Sequence, residues 1–276
     1  MSPAGPDGPP ADGTPASPVR VTDPDDPAIA LFRDVKERDR IGRQGIFIAE
    51  GLSVLTVLLT RSPLETLAIL VEESRVDRLP VLAERGTAPL YVAPQAVLDG
   101  IAGFHLHRGI LAAGRVPAPR PLSALPHGPL RLPVCVNLAN HDNVGGIYRN
   151  AAAFGAAGVA VDATTANPFY RKAIRVGAGA PLTVPTYAVG DDILGELREA
   201  GITPYALTPQ AGASLGAAPL AARAAFLLGT EGPGLPDPLI GGCEPLAIRI
   251  APGVDSLNVA TTAGIVLHAH ALQHGL

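Results

Sequence analysis

The chain has 276 residues, of which 47% are hydrophobic and 17% are charged, and its formal net charge is −4. This length accommodates one large domain or two ordinary ones, with ample apolar material for a core. Five aspartates and one arginine in residues 1–27 account for the whole net charge, so bulk charge neither indicates nor excludes a nucleic-acid partner for the remainder.

The two ends of the chain have unusual compositions. Residues 1–27 contain eight prolines and no basic segment followed by an apolar one, which excludes a secretory signal and predicts a disordered tail. Residues 256–276 contain no Asp, Glu, Lys or Arg. Their Asn, Thr, Gln and His side chains would need partners in lipid, so we expect a soluble helix packed through its Ala and Gly residues.

Residues 28–116 alternate between helical and strand-like patterns. Asp26 and Pro27 form a helix start before the first of them. The strand-like runs are "GIFIAE", "TLAILVE", "PLYVAP" and "RGILAAGRV". The helical runs are "DDPAIALFRDVKERDRIGR", "GLSVLTVLLTR", "SRVDRLPVLAER" and "PQAVLDGIA". This alternation predicts a small α/β domain.

A proline-rich segment, residues 117–133, separates this domain from the rest of the chain and is predicted to be a linker. Residues 134–276 then form a second, larger α/β domain with six mostly parallel strands. The predicted strands are "VCVNLA", "GVAVDA", "TVPTYAV", "TPYALTP", "AAFLLG" and "LAIRIA", with a helix at "DDILGELREAG".

Three segments that follow predicted strands combine small residues with amide, hydroxyl or carboxylate side chains: "NHDNVGG", "GTEGPGLPD" and "APGVDSLN". Ligands bind where such loops gather, at the carboxyl ends of parallel strands. Taken singly, each has an ordinary explanation, since Asn143 and Ser256 could cap helices and Arg149 could be solvated. Neither a G-x-G-x-x-G after the first strand nor a G-K-[ST] loop is present, so dinucleotide and P-loop functions have little support.

Taken together and in order, "NVGGIYRNAAAFGAAGV", "LLGTEGPGL" and "IRIAPGVDSLNVATTAGI" resemble the three motifs of the SpoU (TrmH-like) RNA ribose 2′-O-methyltransferases of the SPOUT superfamily. The resemblance covers about residues 134–276. It implies a parallel sheet with a deep trefoil knot, S-adenosylmethionine as cofactor and a homodimer. The N-terminal domain resembles the ribosomal-protein-like RNA-binding domain that precedes this catalytic domain in family members, through "GIFIAEG" and "HRGILA".

The resemblance also implies roles for individual residues. The expected catalytic set is Asn143, Arg149, Glu231, Ser256 and Asn258. The expected cofactor set is Leu207, Gly229, Ile250 (at the end of the last strand) and Leu257. Arg149 would lie in the first turn of a helix that follows a ligand-facing loop. Since a guanidinium is a poor base, we expect Arg149 to bind a phosphate or ribose oxygen and to stabilise developing alkoxide charge.

The remaining expectations concern partners. Arg40, Arg43 and Arg108 are candidate RNA contacts in the N-terminal domain. Ribosomal RNA is favoured over transfer RNA because this domain is separate. A non-catalytic RNA-binding protein and a nicotinamide-dependent enzyme are weaker alternatives. The histidines lack metal-ligand spacing, so no metal is expected. Cys135 and Cys243 are predicted to be reduced thiols in a cytoplasmic protein.

Overall fold

The computed structural model describes residues 17–33, 41, 44–103, 105–208, 213–230 and 232–275. The chain divides into two units, Met1–Pro117 and Ala118–Leu276.

The N-terminal unit is built on a five-stranded mixed sheet with the order β1-β4-β3-β5-β2. Its strands are β1 (Val19–Arg20), β2 (Ile46–Glu50), β3 (Thr66–Glu72), β4 (Leu90–Ala93) and β5 (Ile110–Arg115). β4 is parallel to β1 and β3, whereas β5 is antiparallel to β3 and β2. The helices are α1 (Leu52–Thr60) and α2 (Gln95–Ala102). The predicted small α/β domain is therefore correct in class and in its four strand-like runs.

The predicted disordered tail is wrong over its last part, residues 17–27. Val19 and Arg20 pair with β4, and the Val21 amide donates a 2.9 Å hydrogen bond to the carbonyl of Val92. Val21 is also buried, with 1% of its surface exposed. An apolar side chain and a free sheet edge thus order a segment whose proline content pointed to disorder.

Two predicted helices of this unit are 3-10 helices in the part that the structure describes, and most of residues 34–43, where the first was predicted to continue, lie outside the described residues. Asp26 does cap, accepting a 2.8 Å hydrogen bond from the Ala28 amide, but the element is a 3-10 helix, Pro27–Phe32. The run "SRVDRLPVLAER" forms two 3-10 helices, Glu73–Arg78 and Pro80–Arg85. Pro80 separates them because it has no amide hydrogen and cannot continue a helix.

The C-terminal unit contains a six-stranded sheet in the order β11-β9-β10-β6-β7-β8. Six mostly parallel strands were predicted, and every pairing is parallel. The strands are β6 (Leu130–Cys135), β7 (Val159–Val161), β8 (Thr186–Ala188), β9 (Thr203–Leu207), β10 (Arg223–Leu228) and β11 (Glu244–Leu246). The helices are α3 (His141–Ala153), α4 (Arg171–Val176), α5 (Ile193–Glu199), α6 (Asp237–Gly241) and α7 (Val259–His274).

The predicted linker, residues 117–133, is mostly part of this second unit. The Arg120 amide donates to the Thr186 carbonyl at 2.9 Å, and the Ala188 amide donates to the Arg120 carbonyl at 2.9 Å. Leu122 and Leu125 are buried in the core of the unit. The leucines in this proline-rich stretch bury apolar surface, which a free linker would not.

The last helix, α7, packs in this unit as expected. The side chains of Gln273 and His274 form hydrogen bonds with the backbone of residues 218–220, the segment that leads into β10. These bonds hold the C-terminal part of α7 against that segment. No helix in the described residues is long and apolar enough to cross a membrane. Cys135 and Cys243 are free thiols, as predicted, and burial raises the pKa of Cys243 to about 11.

Candidate functional site

A cavity of about 870 Å³ opens at the carboxyl ends of β9, β10 and β11. Its wall includes all four predicted cofactor residues together with Ser256: Leu207, Gly229, Ile250, Ser256 and Leu257. One detail of the prediction is wrong, because β11 ends at Leu246 and Ile250 lies in the segment that follows it. The segments that follow β9, β10 and β11 therefore meet at one concave site, where parallel α/β sheets bind ligands.

The loop after β10 depends on glycine. A Cβ atom on Gly229 would lie 2.5 Å from both the carbonyl carbon of Gly234 and the amide nitrogen of Leu235. The Gly234 amide donates to the Thr230 carbonyl at 3.1 Å, and Gly234 has a φ of +74°. The loop thus folds back on Gly229 and presents backbone to the cavity. Glu231, predicted to be catalytic, lies outside the described residues.

The predicted ligand-facing loop "NHDNVGG" is instead the beginning of helix α3, and this part of the prediction is wrong. A Cβ on Gly145 would lie 2.5 Å from the Ala173 carbonyl oxygen, and one on Gly146 would lie 2.7 Å from the Ala260 Cβ. The two glycines therefore let α3 pack closely against α4 and α7. Their function is close helix packing, and not loop flexibility.

Two of the predicted catalytic residues are bonded to each other. The Asn258 side-chain amide donates a 2.8 Å hydrogen bond to Oδ1 of Asn143, which is buried with 5% exposed. Oδ1 of Asn258 accepts from the amides of Ala260 and Thr261 and thereby caps α7. Asn258, and not Ser256, is therefore the residue that caps α7. Asn140, and not Asn143, caps α3. This pair fixes the start of α7, which follows directly on the cavity residue Leu257.

Arg149 lies further along α3 than predicted. The helix begins at His141, so Arg149 is in its third turn, and its side chain is exposed. It stands one turn after Gly146, which touches α7 at Ala260. Val259 and Thr262, one residue before and two residues after Ala260 on α7, line the cavity. An exposed cation therefore lies on the helix that packs against the cavity wall.

The sequence analysis did not identify the polar side chains of the cavity wall other than those in the expected catalytic and cofactor sets. These are Thr208, Thr230, Asp237, Asp255 and Thr262. Four of them lie in or beside the three quoted motifs, so their positions after strands could have indicated them. Thr208 follows β9, a strand that carries no motif.

The predicted RNA contacts of the N-terminal unit are not brought together by the described residues. Arg108 has 52% of its side chain exposed, and its Nε lies 4.0 Å from Oε1 of Glu50. Its Cδ would be only 2.8 Å from a Cβ on Gly51, so it packs on the unit's own surface. Arg40 and Arg43 lie outside the described residues.

The chain is similar to known proteins over most of its length. The model of the SpoU rRNA Methylase family matches residues 132–268. A protein of Mycobacterium tuberculosis that is named as an uncharacterized tRNA/rRNA methyltransferase is 36% identical over 261 residues, which cover 90% of each chain. The 23S rRNA (guanosine-2′-O-)-methyltransferase of Xanthomonas campestris is 31% identical over 182 residues, covering 62% of this chain and 72% of that one. An AdoMet-bound rRNA methyltransferase from Sinorhizobium meliloti has the same fold, with a TM-score of 0.79 at 21% identity over 92% of this chain and 97% of that chain.

Proposed function

The chain belongs to the SpoU family of RNA methylases, and from this premise we propose that it methylates a ribose 2′-hydroxyl in structured RNA, with S-adenosylmethionine as methyl donor. The observation that carries the proposal is that the second and third motif segments line one cavity, while the first forms α3 and is hydrogen-bonded to the third through Asn143 and Asn150. Ribosomal RNA is the preferred substrate class, since the Xanthomonas relative is named for that reaction. Transfer RNA is the alternative.

The cavity fits S-adenosylmethionine in its chemistry. Leucine and isoleucine side chains, among them Leu207, Ile250 and Leu257, offer apolar surface for a nucleoside base. The glycine-rich loop from Gly229 to Gly234 offers backbone donors and acceptors. The ionisable side chains among the lining residues that the structure describes are carboxylates, which suits a cationic ligand. The bound cofactor would supply a methyl group carried on a sulfonium.

Arg149 is assigned to the RNA and not to the cofactor. A ribose 2′-hydroxyl is a weak nucleophile, so the site must hold it in line and stabilise charge that develops on its oxygen. A guanidinium keeps its proton and offers several donors in a planar fork. We therefore assign Arg149 to bind the ribose oxygen or the neighbouring phosphate.

Asn143 and Asn258 act as positioning residues. Their mutual bond links α3, which carries Arg149, to the cap of α7 beside the cavity. Asn150 makes a second link, donating a 2.6 Å hydrogen bond to the Ala260 carbonyl. Ser256, an exposed part of the cavity wall, is assigned to orient the ribose or the cofactor loop. The catalytic arginine and the cofactor wall would then keep a fixed separation.

We further propose that two copies pair through α7 and that the C-terminal unit is knotted. Support for the pairing is the face of α7 at spacing i, i+4, i+7 and i+11, which is exposed: Thr261, Ile265, His268 and Leu272. Leu272 has 75% of its surface exposed and Ile265 has 37%. Two exposed apolar side chains, Ile265 and Leu272, therefore lie two turns apart on one helix face, as at an association surface.

The test of the proposed function combines binding and transfer. Calorimetry should show binding of S-adenosylmethionine to the full chain, with and without EDTA. Tritium from the labelled cofactor should appear in RNA from cells that lack the gene, and mapping of 2′-O-methyl positions should locate it. Binding of the cofactor without label in RNA, or label found on a base, would contradict the proposal.

A further inference from the structure

The loops that follow β6 and β7 are bonded into one surface. The Asn137 amide donates to Oδ2 of Asp162 at 2.9 Å, and the Ala166 amide donates to the Leu138 carbonyl at 2.8 Å. The Leu138 amide donates to the Thr165 hydroxyl at 3.2 Å. Because β6 and β7 are parallel neighbours, both loops lie at the same edge of the sheet as the cavity.

This surface presents aromatic and cationic side chains next to α3. Residues 167–172 form this part of the surface. The side chain of Phe169 is buried, and Oδ1 of Asn167 accepts a 2.9 Å hydrogen bond from the Phe169 amide, which stabilises a turn before α4. Tyr170 then packs against His141, with ring centroids 4.2 Å apart and ring planes tilted by 34°. Lys172 follows on α4, half exposed, with its Nζ 2.8 Å from Oδ2 of Asp142.

The same surface is aligned with Arg149. Asp142 and Arg149 are seven residues apart in one helix, so they lie on the same face, about 10 Å apart along its axis. Lys172 is held at Asp142, and Arg171 is its neighbour on α4. Between residues 167 and 176 the sequence has three cations and no acid. The spacing suits neighbouring phosphates of one RNA strand whose target ribose is at Arg149.

From this arrangement we propose that His141, Tyr170, Arg171 and Lys172, here called the Tyr170 face, bind the single-stranded RNA that flanks the target nucleotide. A base stacks on the Tyr170 and His141 rings, and the two cations contact phosphates. Single-strand binding sites combine stacking rings with cations in this way, because every base has a π-face and every nucleotide has a charge. The inference rests on the proposed function and adds to it the substrate path on the catalytic unit.

The test uses the full chain and a labelled RNA hairpin with a single-stranded loop, titrated by fluorescence anisotropy at several salt concentrations. The double variant Arg171→Ala, Lys172→Ala should bind about tenfold or more weakly, and its log–log salt slope should fall by about 1.4, the value for two single-strand phosphate contacts. Tyr170→Ala should weaken binding at least about fivefold, whereas Tyr170→Phe should not, since the ring remains.

Controls separate this site from the fold and from the cofactor. Arg120→Ala removes one exposed cation from the same unit, next to β8, and should bind RNA like the wild type. All variants should bind S-adenosylmethionine normally. The double variant and Tyr170→Ala should raise KM for RNA with little change in kcat, whereas Arg120→Ala and Tyr170→Phe should leave KM unchanged. Unchanged affinity and salt slope in the double variant would overturn the inference even if methyl transfer is intact. If the wild type binds RNA through this face but transfers no methyl group, the proposed function fails and the inference stands. A wild type that does not bind the hairpin contradicts both.

Discussion

His270 on α7 provides a sharp test of how the C-terminal unit is held together. The ring is fully buried. Its Nδ1 accepts a 3.1 Å hydrogen bond from Nε of Arg131, and its Nε2 donates to the Ala221 carbonyl at 3.0 Å. One ring nitrogen accepts and the other donates, so the imidazole is neutral. Burial, together with the charges of Arg131 and His274, lowers the pKa of His270 from 6.5 to about 4.

The sign and size of the effect follow from linkage. Between pH 6.5 and 4 the unfolded chain binds a proton at this position that the folded chain does not, so acidification lowers the free energy of unfolding. The shift from 6.5 to about 4 corresponds to about 3 kcal/mol over the whole window, and to about 2 kcal/mol between pH 7 and pH 5. Above pH 6.5 this contribution is fully present.

The measurement is chemical denaturation of the full chain followed by circular dichroism at pH 7 and pH 5, for the wild type and for His270→Gln. The variant should be less stable at pH 7, because it cannot satisfy both partners, and should lose about 2 kcal/mol less on acidification. His127→Gln is the matched control, since His127 is exposed in the same unit and lies outside the face of α7 proposed for pairing. If nuclear magnetic resonance showed the His270 ring titrating near pH 6.5, or if both variants lost stability equally, the reasoning would be refuted.

Four further predictions concern the site and its assembly. Arg149→Ala should lower kcat at least about 100-fold with cofactor affinity unchanged, by radiolabel transfer and calorimetry. Gly146→Ala should cost about 1–3 kcal/mol in denaturation, and adding Ala260→Gly should restore part of it, because the two Cβ atoms would otherwise lie 2.7 Å apart. Asn258→Ala should cost about 1–2 kcal/mol and weaken cofactor binding, while Asn258→Asp keeps the cap and should cost less. Leu272→Glu should convert a dimer to monomer in sedimentation; a wild-type monomer would contradict the pairing.

Most of the sheet could be predicted from sequence, because apolar runs of strand length between helical patterns directly indicate a parallel α/β sheet. The errors at Leu122, Val21, Gly145 and Gly146 share one cause, which is that the role of each residue depends on tertiary contacts that local composition does not show. Val21 and Leu122 are buried within segments whose proline content suggested a disordered tail and a linker, and composition averages over such single apolar side chains. Likewise, Gly145 and Gly146 suggested a loop because glycine is usually counted for flexibility. Their need for glycine comes from Ala173 and Ala260, which only the tertiary structure brings near.

The position of α7 explains why the site can be both fixed and open. The first turn of α7 is held by the Asn143–Asn258 hydrogen bond and by the bond from Asn150. Its last turns are held by hydrogen bonds to residues 218–221 and by Arg131. The Arg131 guanidinium also donates to the carbonyls of Phe154 and Gly275. Between β11 and this helix, residues 251–256 are exposed. A ligand-binding segment with little burial needs rigid ends, since ordering it on binding costs less when its anchors do not move. The buried Asn143 and His270 therefore contribute to the site by fixing the helix that follows this segment, which we propose as part of the cofactor wall.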